Sequence, residues 1–139
     1  MALAAGLAGA LQVAVMGRFG ERIGTLEALA FSTLLTTVIT AVALLVARRS
    51  LDGLAAGWSA PRWLWLGGAM GAFIVLSITV AGPRIGVVAT TGLLIVGQLG
   101  MATLIDRFGW FGVERIGLSA TKLVGLALLV AGAALTLRR

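Results

Sequence analysis

Two amides and a row of hydroxyls are the polar groups set deepest in this otherwise apolar chain. Gln12 and Gln98 each lie within a long hydrophobic stretch. An amide surrounded by hydrocarbon needs hydrogen-bond partners, so each is expected to face protein or water rather than acyl chains. Two roles stay open for them: a bond that ties neighbouring helices together, or a polar lining for a solute pathway. Thr33, Thr36, Thr37 and Thr40 recur at the i, i+3, i+4, i+7 spacing of one helix face. Their hydroxyls either line a polar cavity or bond back to carbonyls four residues earlier. Ser77, Thr79, Thr90 and Thr91 fall at the same depth range.

The charged candidates sit only at the edges of the apolar runs. Glu27, Arg84 and Asp106 are the ones placed to matter, and no carboxylate occupies the middle of a run. Glu27 and Asp106 are expected to pair with Arg22 and Arg107 or to remain solvated. A proton exchanger built on one buried carboxylate is therefore not expected. The chain has no His, Cys or Tyr. That removes the commonest general base, the thiolate nucleophile, the commonest metal ligands and a phenol acid. No catalytic residue, metal site or cofactor is assigned, and an enzyme is not expected.

The elements that must hold these groups are hydrophobic helices. Of 139 residues, 60% are hydrophobic and 12% charged, against about 25% charged in a soluble domain. Ala28–Ala47, Trp63–Ala81 and Ile85–Ile105 carry no charge over twenty, nineteen and twenty-one residues. A chain this small has no interior able to hide three such runs, so they are expected to span a bilayer. The reading is an all-α membrane protein of about five helices with short loops, forming one domain. Its expected helices are Ala2–Gly17, Thr25–Ala47, Trp63–Ala81, Ile85–Ile105 and Ala120–Leu137. The first is ended by Arg18, the third by the breaker pair Gly82-Pro83 and the last by Arg138-Arg139. The first and last are short for a core of about 30 Å, and a four-span variant leaves one of them partly inserted. Met1–Gly17 has no basic residue before its apolar run and is read as a retained helix rather than a cleaved signal. Trp58, Trp63, Trp65 and Trp110 all fall near expected membrane interfaces. Gly67 with Gly71, Gly97 beside Gln98, and Gly125 with Gly132 are expected to let helices pack by close backbone contact.

The net charge of +6 does not point to nucleic acid, because the basic residues sit singly or in pairs between apolar runs. With five spans they divide almost evenly across the bilayer. Arg48, Arg49, Arg62, Arg107, Arg115 and Lys122 lie on one side, and Arg18, Arg22, Arg84, Arg138 and Arg139 on the other. Orientation normally follows an excess of Lys and Arg on the cytoplasmic side. A six-to-five split gives almost no instruction, so insertion in both orientations is expected, unless one early charge pair fixes a single orientation. Two opposed copies have the inverted-repeat symmetry of many transporters, with a solute site near the midplane.

The second half carries a family pattern. Trp63-Leu-Trp-Leu-Gly-Gly with Gly71, Gly82-Pro83-Arg84-Ile-Gly86, Gly97-Gln98-Leu, Ile105-Asp106-Arg-Phe108-Gly109 and Lys122-Leu-Val-Gly125 together resemble the YdcZ-type family. These are small bacterial inner-membrane proteins grouped with the drug/metabolite transporter superfamily. In the first half Gly9 and Gln12 match, whereas Met16 replaces an expected Asn. Ala30-Phe31 and Leu34 replace an expected Ser-Phe and Gly. The resemblance implies about five spanning helices in the bacterial inner membrane and antiparallel pairing. It also implies transport of a small solute, whose identity the family does not define. The partners expected are the lipid bilayer, a second copy or an oppositely oriented paralogue, and a small-molecule substrate. A non-transporting subunit of a larger membrane complex is the alternative.

Overall fold

A computed structural model describes residues 1–50 and 52–137. Arg138 and Arg139, expected to close the last helix, lie outside the described residues. The described residues are helical with no strand. The order is α1 (Ala2–Ile23), α2 (Thr25–Arg48), α3 (Asp52–Ser59), a 3-10 turn (Arg62–Trp65), α4 (Leu66–Ile85), α5 (Val87–Phe108), a second 3-10 turn (Trp110–Gly112) and α6 (Ala120–Thr136). Four segments are long and apolar enough to cross a membrane: α1, α2, α5, and Arg62–Ile85, which joins the first 3-10 turn to α4. At about 1.5 Å per residue, the 17 residues of α6 rise about 25 Å, the lower limit for a span.

The helices run further than the apolar sequence does. α1 continues past Arg18 to Ile23, because Arg and Glu are good helix formers. Arg18 and Glu21 pair at 3.4 Å one turn apart on that extension. α4 passes through Pro83 and ends at Ile85. Proline lacks the N–H that the carbonyl four residues earlier would accept from, and its ring crowds that carbonyl and the preceding residue. Gly82 has no Cβ, which removes the last of these clashes, and Pro83 falls in the final turn. The connection after α2 also holds the short helix α3, where a loop was expected.

Two of the tightest connections turn on glycines. A single residue, Gly24 (φ 104°, ψ 149°), joins α1 to α2. Another, Gly86 (φ 87°, ψ 160°), joins α4 to α5. That part of conformational space is open essentially to glycine alone. Both follow an Arg-Ile pair, so Arg22-Ile23-Gly24 and Arg84-Ile85-Gly86 are the same three-residue stop. A Cβ on Gly86 would meet nothing within 4 Å, so a substitution there tests the backbone alone. Gly86→Ala is expected to cost about 1–3 kcal/mol, read as a lower unfolding midpoint in detergent. Gly86→Asn should cost as much, since asparagine relieves only the left-handed helical region. Wild-type stability in either variant would refute this.

The described residues gather into two compact units, Val15–Pro83 and a second made of Met1–Ala14 with the chain from Arg84 onward. In the first unit α1 crosses α4 at small residues. Gly17 and Gly20 lie against Pro83 and Thr79, where added Cβ atoms would stand 3.1 Å from Pro83 Cδ and 2.5 Å from Thr79 Cγ2. Met16, Ala28 and Ile78 complete this core. Phe19 packs edge-on against Phe31 at 5.5 Å. Trp58 meets Trp65 edge-on at 5.4 Å, and the Trp65 indole donates to the Gly57 carbonyl. In the second unit α5 lies along α6, with Gly92 against Ala133. Val13, Ala89 and Thr90 are buried there.

The five glycines expected to pack helices do something else within the chain. A Cβ at Gly67, Gly71, Gly97, Gly125 or Gly132 would meet nothing within 4 Å. Gly125 and Gly132 face the α5–α6 seam across open space, and among the described residues the close approaches fall at Gly17, Gly20 and Gly92.

Candidate transport groove

The second unit's seam between α5 and α6 follows from their sequences. On α5 the positions Val88, Thr91, Ile95, Leu99, Ala102 and Asp106 recur at helical spacing on one face, as Lys122, Gly125, Leu129, Gly132 and Thr136 do on α6. Two recesses open along this seam. The larger, about 510 Å³, is lined by Thr91, Ile95, Leu128, Leu129, Gly132 and Thr136, among others. The smaller, about 290 Å³, is lined by Leu99, Thr103, Asp106, Lys122, Gly125 and Leu129. Leu129 borders both, so they are adjacent parts of one groove. The combined size is that of a small-molecule site.

The charged part of the groove is a pair. Lys122 Nζ lies 3.7 Å from Asp106 Oδ2, with side chains 44% and 33% exposed. A pair this open contributes little stability, about 0–1 kcal/mol. Its consequence is that the groove carries no net charge. Lys122 is held at the start of α6, where its backbone N–H donates to the capping Ser119 hydroxyl at 3.2 Å. Asp106 was expected beside Arg107 or in solvent. It reaches Lys122 because antiparallel helices bring the end of α5 to the start of α6.

The hydroxyls divide sharply. Thr33, Thr36, Thr37 and Thr40 each donate to a carbonyl four residues earlier, at 2.8 to 3.0 Å. Thr79, Thr90 and Thr103 do the same, and Thr136 donates to the carbonyl three residues earlier. Thr91 differs: its hydroxyl oxygen is buried and has no partner among the described residues. Among the residues singled out in the sequence, the structure therefore places Thr91 and Asp106 on one groove. The α2 hydroxyls lie in the other unit. Gln12 and Gln98 are exposed on α1 and α5, and neither amide makes a hydrogen bond within the described residues. Glu27 takes no ion pair with Arg22. Its carboxylate covers Gly24 at the start of α2, where negative charge suits the helix N-terminus. Arg84 lies at the end of α4.

Lys122, Gly132 and Thr136 were not recognised as groove residues from the sequence. The signal was present as the helical spacing on both α5 and α6, together with a basic residue at one seam end and an acidic one at the facing end.

No curated protein and no solved structure matches the chain. A family model described as "Putative inner membrane exporter, YdcZ" matches residues 1–135. With that match over nearly all of its 139 residues and four helices able to cross a bilayer, the chain belongs to the YdcZ family and is a multi-pass inner-membrane protein of transporter type.

Proposed function

We propose that the protein exports a small solute by alternating access, as a pair of antiparallel copies. The observation that carries the pairing is the state of Gln12 and Gln98. Both are exposed on apolar helices, and neither amide is satisfied among the described residues. An unsatisfied amide in hydrocarbon costs several kcal/mol, so these groups call for a partner beyond the chain. The nearly even division of Lys and Arg supports a partner of the same sequence in the opposite orientation. In such a pair each copy contributes one α5–α6 groove, and the two grooves face opposite sides of the membrane.

The absence of native cysteine makes the test clean. Gly117 is exposed in the connection between α5 and α6, with open space around it. A Gly117→Cys variant in intact cells, treated with a membrane-impermeant maleimide, is expected to label in about half of the copies, since an orientation-indifferent chain populates both states. Labelling of nearly all or nearly none would overturn the antiparallel pair of identical copies.

A further inference from the structure

Thr91 departs from a pattern that the other threonines in the interior of the helices keep. A threonine hydroxyl inside a spanning helix satisfies itself on the carbonyl of the preceding turn, as eight other threonines here do. Thr91 has the Val87 carbonyl one turn before it and leaves it unused, though the oxygen is shielded from solvent. A buried hydroxyl without a partner has lost its hydration and gained nothing in return. Thr91 also lines the 510 Å³ groove, whose other walls are aliphatic side chains, the open face of Gly132 and Thr136, whose hydroxyl is already spent on the Ala133 carbonyl. Rotation about χ1 exchanges its methyl and hydroxyl, and threonine shares two such rotamers in helices.

We infer that this groove binds a neutral, largely apolar solute carrying one hydrogen-bonding group, with Thr91 as its polar contact. The volume suits a drug-sized molecule. No charged side chain lines the larger recess, and the only charges on the smaller one, Asp106 and Lys122, offset each other. A permanent cation or anion would be desolvated there without a counter-charge. A lipid acyl chain fills an apolar groove but offers the hydroxyl nothing. Calling the bound solute a cargo rests on the export reading. Binding itself is measured on purified protein whatever its orientation in cells, so failure here and failure of the cysteine labelling are separate results.

The probe is 6-propionyl-2-dimethylaminonaphthalene, a neutral fluorophore whose ketone accepts a hydrogen bond and whose emission shifts when it does. It is titrated into purified protein in lipid nanodiscs. Gly132→Leu fills the open wall of the groove and serves as the background for partitioning into lipid. Thr91→Val removes the hydroxyl and keeps the shape, and Thr91→Ser keeps the hydroxyl. The ketone is expected to bind wild type above background, about 5- to 10-fold more weakly to Thr91→Val, and normally to Thr91→Ser. 2-Dimethylaminonaphthalene, which lacks the ketone, should bind wild type and Thr91→Val alike. Equal affinity of the ketone for wild type and Thr91→Val would overturn the assignment of Thr91 and leave acyl chains as the groove's occupant. Tighter binding of methyltriphenylphosphonium than of the ketone would overturn the neutral class.

Discussion

A Gly20→Leu variant is expected to fail to accumulate as folded, monodisperse protein. Gly20 sits where α1 crosses α4, and even a Cβ there would stand 2.5 Å from Thr79 Cγ2. Thr79 is 2% exposed and cannot move into open space. Its hydroxyl donates to the Val75 carbonyl at 2.7 Å, which fixes the methyl's direction. The helices must therefore separate, and Met16, Gly17 and Ile78 lose contact together. Overpacking of this kind costs about 1–3 kcal/mol for added methylenes, occasionally more, against a total stability of about 5–15 kcal/mol for a typical protein. Gly6→Leu, on the same helix with nothing within 4 Å of the added Cβ, should remain near wild type. Size-exclusion profiles and unfolding midpoints in detergent distinguish the two. A milder pair checks the cause: Gly20→Ala destabilises, and Thr79→Ser, which keeps the hydroxyl and deletes Cγ2, restores it. Additive effects in that double variant would mean that the two residues are not in contact.

The spans were legible in the sequence because lipid imposes one requirement, satisfied backbone bonds in long apolar segments, and hydropathy reports it directly. The helix ends were less legible for a physical reason. A charge ends the hydrophobic run without ending the helix, as Arg18 shows, and Gly82-Pro83 falls in a last turn that runs on to Ile85. The stops lie at Gly24 and Gly86, whose backbone conformation excludes other residues. Arg-Ile-Gly precedes both α2 and α5, but the triplet alone does not mark a stop, since Arg115-Ile116-Gly117 lies in a connection and its glycine does not take this conformation.

Site residues were legible in part, and the division is instructive. Thr91 and Asp106 could be named because polar groups in apolar sequence stand out. Lys122 could not be joined to Asp106 without knowing that α5 and α6 are antiparallel neighbours. The α2 stripe looked as much like a cavity wall as Thr91 did. Spacing cannot say whether a hydroxyl turns to its own backbone, as Thr33, Thr36, Thr37 and Thr40 do, or away from it. Glycine spacing likewise does not say which face meets a helix of the same chain. Gly67 and Gly71 have the spacing of a packing pair, yet only the faces that meet another helix decide, and those hold Gly17, Gly20 and Gly92.

The double variant Gln12→Leu/Gln98→Leu is expected to weaken the pair of copies by about 5- to 900-fold. Hydrogen bonds between spanning helices contribute about 0.6–2 kcal/mol each, so losing two of them removes about 1–4 kcal/mol. Each side chain is exposed, and neither amide bonds within its own chain, so the substitution leaves the isolated fold intact. The monomer should even gain from it, because leucine in hydrocarbon is favourable where an amide is not. Dissociation and folding thus move in opposite directions, a signature that general damage to the protein cannot produce. Energy transfer between labelled copies in vesicles, followed as the protein is diluted with lipid, reads the first. Unfolding midpoints in detergent read the second. Unchanged or tighter association would rule the amides out of the contact between copies. If export were nevertheless lost with the pair intact, Gln12 and Gln98 would belong to the solute pathway, and the hydrophobic faces alone would have to hold the two copies together.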